Sequence, residues 1–460
     1  MKRILSFALS IALMLSLFAL PVYAATPEPT RMTSESYMLF DLRTGKILLQ
    51  NNIDAELEPA SITKMITAII AIEEMDLERT LVADAEVANT PPTTLSLKDG
   101  EEIRAIDALN AMLVASCNDC AILFAKAISG SSAAFAEKMN QKLLEIDGVK
   151  HTNFVNPNGF HDEGHYTTAS DLYYITLYCM KNDLFREIVA KSEYTVPKTN
   201  KSDARTIVST NSMLADDTTM MYVYNEKVST KYEGTMGVKT GYTSEAGHCI
   251  VAAAEQNGTQ LCCIVLKSPT SLERYVDAHK LLNWGFENYY SYKAVESGTS
   301  AGAIAVKRGS VKEVELRTSG EFYTLLPSEA SSSVITTETH LNEGVTAPVA
   351  EGTKLGYVDI LEGGEKIGSV DVVAAQSVEK GGPLSIFGID DATAHKIKVG
   401  IISAICIIVG GFVAWVFWAR HQTKVKKARK AAKIKALKEE EARRRAMWER
   451  DYESRRNDRE

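Results

Sequence analysis

The chain has 460 residues, 45% hydrophobic and 24% charged, the balance of a folded protein of two or three domains. That excludes disorder throughout and a polytopic membrane protein. The formal net charge of −8 is unevenly spread: 420–460 holds 16 Lys and Arg against 8 Asp and Glu, the first 24 residues carry +2, and 25–419 is left with −18. An acidic body joined to a basic tail places the two in different surroundings.

Lys2-Arg3, the apolar run Ile4–Leu20 and the small-residue site Val22-Tyr23-Ala24 have the layout of a secretory signal peptide over 1–24, cut after Ala24. Tyr37–Phe40 and Ile47–Leu49 flank Arg43–Lys46 as a β-hairpin. Ile62, Met65, Ile66, Ile69 and Ile70 recur at helical spacing behind Pro59. Further helices are predicted over Ala105–Ile128, broken at 116–119, then Ala133–Ile146 and Ala169–Met180, with a polar loop Val149–Tyr166 between the last two. Strands follow at Gly237–Thr240, His248–Ala254 and Leu261–Lys267, and a helix at Val276–Phe286. The domain 25–290 is thus an α/β (α+β) unit with an antiparallel sheet. From 291 to 375, six short apolar strands separated by turn signals predict a small all-β domain.

Residues 376–396 form a spacer before the apolar segment 397–419, whose Val399–Ala419 core lacks any charge. As a helix, those 21 residues reach about 32 Å, enough to cross a hydrocarbon core of about 30 Å. Trp415 and Trp418 lie near its end, and Lys424–Lys438 adds eight basic residues without an acid. The positive-inside rule then puts 420–460 in the cytoplasm, near anionic lipid, and the body outside. A nucleic-acid role for this tail is not expected, because its place beside a span accounts for its charge.

The seven cysteines show no disulfide framework. Cys262 and Cys263 are adjacent and point to opposite faces of a strand, so they cannot share one core. Cys117-x-x-Cys120 has no second pair to complete a zinc site and is taken as buried apolar packing. His151, His161 and His165 fit no metal-binding spacing, and no carboxylate is fixed beside them. Neither a metal nor another cofactor is expected.

Three short motifs carry chemistry. Ser61-Ile-Thr-Lys64 puts a serine at a helix start and a lysine three residues on, on the same face; a lysine deprotonates serine only when burial or another cation keeps it neutral. Ser116-Cys-Asn118 offers a hydroxyl and an amide at a helix-to-helix turn, suited to proton relay and substrate holding. Lys239-Thr240-Gly241 ends a strand with a cation, a hydroxyl and a residue that lets a substrate backbone approach. Each occurs easily by chance, as decoys at Ser377–Lys380 and Ser209–Asn211 show. Their order and their placement on helix, turn and strand give them weight together.

In these motifs the chain resembles the low-molecular-mass penicillin-binding proteins that act as serine-type D-alanyl-D-alanine carboxypeptidases (peptidase S11-like). Glu58–Lys64, Ser116–Asp119, Phe154–Gly159, His165–Ala169 and Gly237–Thr243 carry the resemblance. It implies a β-lactamase/transpeptidase-like catalytic domain acting on peptidoglycan pentapeptides and inhibited by β-lactams. It further implies Ser61 as nucleophile, Lys64 as proton acceptor and Ser116 as proton relay, with Asn118 and Lys239 beside them. The amides of Ser61 and Tyr242 would form the oxyanion hole, and Lys239, Thr240, Gly241 and Arg274 would bind substrate. Cys117 and Cys120 depart from the small residues usual there, and the spanning helix departs from the family's surface-lying anchor. A β-lactamase is disfavoured because neither Glu145 nor Glu163 has an asparagine four positions on. A β-lactam sensor and an endopeptidase using the same site remain as alternatives.

Overall fold

The structure, a computed structural model, describes residues 28–457. The signal-peptide segment 1–24 lies outside the described residues. Five antiparallel strands form the main sheet, in the order Ile47–Asn51, Ser36–Asp41, Thr259–Ser268, Gly247–Gln256, Thr235–Thr243. N-terminal and C-terminal halves of the domain therefore meet across the pairing of Phe40 with Cys262.

Both faces of this sheet are dry. On one side Cys262, Ile264, Leu266, Val251 and Phe40 join a core built around the helix Lys64–Glu74. On the other, Leu261, Cys263, Val265, Ile250 and Leu39 pack with Leu281 and Leu282 of the helix Ser271–Asn288. The adjacent cysteines thus face two cores, as strand alternation demands, and all seven cysteines are unpaired. Helix Lys64–Glu74 is buried on every side from Lys64 to Ala71, not along one stripe. The helices Ala105–Val114, Asn118–Ser129 and Ala169–Cys179 enclose it, which makes its two polar residues, Lys64 and Thr67, conspicuous.

Two elements differ from expectation at their ends. The helix Ser271–Asn288 starts five residues before Val276, because Glu273 N–H donates to Thr270 Oγ1 (3.2 Å) and the Thr270 hydroxyl donates back to Glu273 (3.0 Å). Such a T-x-x-E cap contributes about 1 kcal/mol. The edge strand runs Thr235–Thr243, carrying its ladder past Lys239 through Tyr242.

The chain divides into two compact units. One is built mainly from residues up to Glu296 together with 321–337 and 360–368; the other comprises 297–320, 338–359 and the chain from Ser369 onward. A second five-stranded sheet orders Ser300–Ala305, Glu313–Thr318, Glu365–Ala374, Lys354–Glu362 and Ile335–Leu341. Val314, Leu316, Val372 and Ala374 are buried on it. Within the expected spacer 376–396, Pro383–Phe387 is a 3₁₀ turn and the final helix begins at Asp391. It continues unbroken to Asn457, so the basic tail is helical through that residue. Among the described residues this is the one helix long and apolar enough to cross a membrane, with mean hydropathy 2.5 over its apolar window.

Candidate active site

Ala60–Thr63 forms a 3₁₀ turn that runs straight into the helix Lys64–Glu74, with Ile62 N–H donating to Pro59 O (3.2 Å). Ala60 has φ 48°, a left-handed conformation that costs a side-chain-bearing residue about 1–2 kcal/mol. Lys64 is fully buried. Its Nζ lies 2.7 Å from Ser61 Oγ, 2.8 Å from Asn118 Oδ1 and 2.6 Å from the Asn158 carbonyl oxygen. The Asn118 amide is oriented by its other end, where Nδ2 donates to Pro91 O (3.3 Å).

That wiring has a direction. Asn118 Oδ1 and Asn158 O only accept, so they would take both N–H groups of the lysine amine when it is neutral. In that state its lone pair would face Ser61 Oγ, whose hydroxyl also lies 3.5 Å from the Asn158 carbonyl oxygen. Burial pushes Lys64 well below the usual lysine range, and the nearby Lys239 cation adds to the shift. A neutral amine aimed at a serine hydroxyl is the arrangement a general base requires.

Ser116 sits between Ala105–Val114 and Asn118–Ser129 with φ 62°, the second left-handed residue in the site. Its Oγ accepts from Lys239 Nζ (2.9 Å), which also donates to Thr240 O (3.0 Å). Lys239 is buried, and desolvation together with Arg274 lowers its pKa to about 7. Thr240 Oγ1 lies 2.7 Å from Thr210 Oγ1. Tyr242 is 57% exposed and stacks on His248, ring centroids 4.3 Å apart. Thr235–Thr243 is the edge strand, so alternate main-chain groups stay outside the ladder on the side of the serine turn.

The structure brings Ser61, Lys64, Asn118 and Asn158 into one hydrogen-bonded group, and Lys239 with Ser116 into a second. The Asn118 amide is tied to Lys64 and Pro91. Gly241, expected to let a substrate backbone approach, has the protein's own Pro59–Ser61 main chain against its Cα. Arg274 is buried, donating to Gly241 O (3.4 Å) and Tyr275 OH (2.9 Å), while its Nε has no partner among the described residues. His161 does have a fixed carboxylate: its Nδ1 lies 2.7 Å from Glu58 Oε1.

Among the described residues, two groups bring potential metal-ligand atoms within 4.8 Å of one another: Cys117, Asp119 and Cys120, and Glu58, His161 and Glu245. In the first, Asp119 already accepts from Leu95, Leu97 and Cys120 N–H. Sequence reasoning missed Asn158, because a main-chain carbonyl leaves no side-chain signature, and Thr210, which pairs with Thr240 from thirty residues away.

The family model for D-alanyl-D-alanine carboxypeptidase, peptidase S11, matches residues 23–270. The chain belongs to that family. The model for the C-terminal domain of penicillin-binding protein 5 matches 289–380, the all-β region. Within the family, the chain is 30% identical over 394 residues to D-alanyl-D-alanine carboxypeptidase DacF of Bacillus subtilis, covering 83% of this chain and 96% of that protein. It is 29% identical to DacA of Haemophilus influenzae over 82% and 94% of the two chains. Penicillin-binding protein 5 of Haemophilus influenzae superposes with a TM-score of 0.59 at 26% identity, covering 78% of this chain and all of that one. These S11 carboxypeptidases share both the catalytic fold and the β-domain with it.

Proposed function

We propose that the protein removes the terminal D-alanine from peptidoglycan stem peptides through an acyl ester on Ser61. The observation that carries this reading is the buried Lys64 Nζ, held by the acceptor-only oxygens of Asn118 and Asn158 and lying 2.7 Å from Ser61 Oγ, so that a neutral amine would turn its lone pair to that hydroxyl.

Ser61 Oγ attacks the carbonyl between the two D-alanines while Lys64 takes its proton. The amides of Ser61 and Tyr242 hold the oxyanion, each donor worth a few kcal/mol to the transition state. The Ser116 hydroxyl, held by Lys239, passes a proton to the departing D-alanine nitrogen. Lys239 and Thr240 receive the terminal carboxylate of the substrate, and Arg274 adds positive field from behind the strand. Water then hydrolyses the ester. A β-lactam presents a similar carbonyl and carboxylate, so it would acylate Ser61 in the same way.

The test is release of D-alanine from a pentapeptide ending in D-Ala-D-Ala by the detergent-solubilised protein. Release that vanishes in Ser61→Ala supports the reading; a wild-type protein that neither releases D-alanine nor binds penicillin covalently overturns it.

The same reading gives a topology: catalytic unit outside, apolar helix through the membrane, tail inside near anionic lipid, after loss of 1–24. The eight basic residues of Lys424–Lys438 support it by the positive-inside rule. A cysteine introduced at Ala442 should react with an impermeant maleimide only after the cells are opened. Labelling in intact cells would reverse the orientation.

A further inference from the structure

Asn158 reaches Lys64 from a loop, and what holds that loop against the serine helix is specific. Asn153 and Tyr166 close its base through paired main-chain hydrogen bonds of 3.0 and 3.1 Å. Its tip is shaped by Asn156, whose Oδ1 accepts from Gly159 N–H (2.7 Å) and Phe160 N–H (3.1 Å). Gly159, at φ 82°, lies so close to the serine turn that a Cβ would fall 1.9 Å from Ala60 O. Thr67 Oγ1 donates to Pro157 O (2.6 Å), one helical turn beyond Thr63.

Thr63 itself meets His165. Val155 N–H donates to His165 Nδ1 (3.2 Å), so the ring proton sits on Nε2, which donates to Thr63 Oγ1 at 2.8 Å. The ring is 1% exposed and packs beside Phe154. Burial holds its pKa near 4, so it stays in this neutral tautomer across the physiological range.

We propose that His165 is a positioning residue for Lys64: by bridging Val155 N–H and Thr63 it seats the loop on the serine turn and sets the Asn158 carbonyl against the lysine amine. The chain of contacts runs Val155, His165, Thr63 on one side and Pro157, Thr67 on the other, with Asn158 between them. Without the His165 bridge the amine loses one of its two acceptor-only partners, and its lone pair is no longer confined to Ser61. This rests on the acyl-enzyme reading above, with Lys64 as base.

The experiment measures penicillin acylation of the detergent-solubilised full chain, separating the non-covalent dissociation constant from the limiting acylation rate. His165→Asn keeps an acceptor near Val155 and loses the donor toward Thr63; Thr63→Val removes the matching hydroxyl at nearly constant volume. Each should lower the limiting rate at least about tenfold and leave the dissociation constant within about twofold, and the double variant should be no slower than the slower single. His165→Gln, which restores a donor at the Nε2 place, should recover part of the rate. Rates equal to wild type in folded variants overturn the proposal, as do losses that multiply in the double variant. If His165→Asn does not fold, the rate of Thr63→Val decides alone. Failure of the underlying reading looks different: wild-type protein then forms no covalent adduct, or Ser61→Ala still forms it.

Discussion

Gly241 lies flat against the main chain that leads into Ser61: a Cβ on it would meet Pro59 O at 2.6 Å and Ser61 N at 3.2 Å. The edge strand and the Ser61 turn are therefore spaced by the absence of a side chain. Since the obstacle is backbone on both sides, nothing flexible can yield.

Gly241→Ala should push the strand carrying Lys239 away from Ser61. The expected outcome is acylation by penicillin slowed at least about tenfold, with a stability loss of about 1–3 kcal/mol in urea. Gly320→Ala, where nothing lies within 4 Å of the added methyl, serves as the matched control and should change neither. Wild-type acylation in Gly241→Ala would show that the contact does not set the site.

Lys64 and Lys239 repel through the buried site, and the direction of the pH response follows from that. In the proposed mechanism acylation needs neutral Lys64, so the rate is expected to fall as pH drops through the lowered lysine pKa. Removing the neighbouring cation in Lys239→Gln relieves the repulsion and raises the pKa of Lys64, so the acid limb moves to higher pH. Lys239→Arg keeps a cation and leaves that limb in place. The rate of covalent penicillin binding against pH checks both, and an unshifted limb in Lys239→Gln removes the coupling.

His165 and His279 are both held near pKa 4 by burial, against 6.5 for a free imidazole. The unfolded chain therefore binds protons that the folded one refuses. Stability is full above about pH 6.5 and declines as pH falls toward 4, by up to roughly 3 kcal/mol per histidine at the acid limit. The His279 Nε2 donates to Thr230 O (3.1 Å), a bond that glutamine can keep. His279→Gln should flatten the fall in urea midpoint between pH 7 and 4.5, and an identical slope in the two proteins would refute the assignment.

Six of the seven cysteines are buried, and burial pushes the Cys120, Cys179, Cys249, Cys262 and Cys263 thiols upward. Thiolate is the reactive form, so these groups should be inert in the native state. A polar maleimide is expected to leave all six unlabelled before denaturation and to modify them within minutes afterwards. Native labelling at Cys117 or Cys120, read by mass spectrometry, would mean the turn next to Ser116 opens.

Much of the fold was legible because its elements are long and periodic. Ile62–Ile70 predicted the helix after Ser61 and Leu261–Lys267 a strand, and both are there. The stretch between Met180 and Gly237 was not legible. It holds the helix Asp183–Val189 and two hairpins of four-residue strands, Glu193–Val196 with Arg205–Val208 and Met220–Val223 with Glu226–Ser229. Such strands are too short to show a period, and Val208, Met220 and Tyr222 are exposed. In the site, residues that act through side chains stood out by type and spacing. Asn158, acting through its carbonyl, and Glu58, which reaches His161 across 103 residues of sequence, did not.

The dry sheet has one more consequence. Along Leu261–Leu266 successive side chains enter two different cores, so polarity does not tell this strand which way to face. Size does. A Cβ at Gly285 of the covering helix would fall 2.4 Å from Leu261 Cδ1 and 3.1 Å from Leu39 Cδ2, so leucine is seated where the helix has no side chain. A slip of one residue would offer Cys262 to that hollow and drive Leu261 into the opposite core. The strand's alignment is kept by volume, a lock that hydrophobicity patterns cannot display and that glycine and leucine hold together.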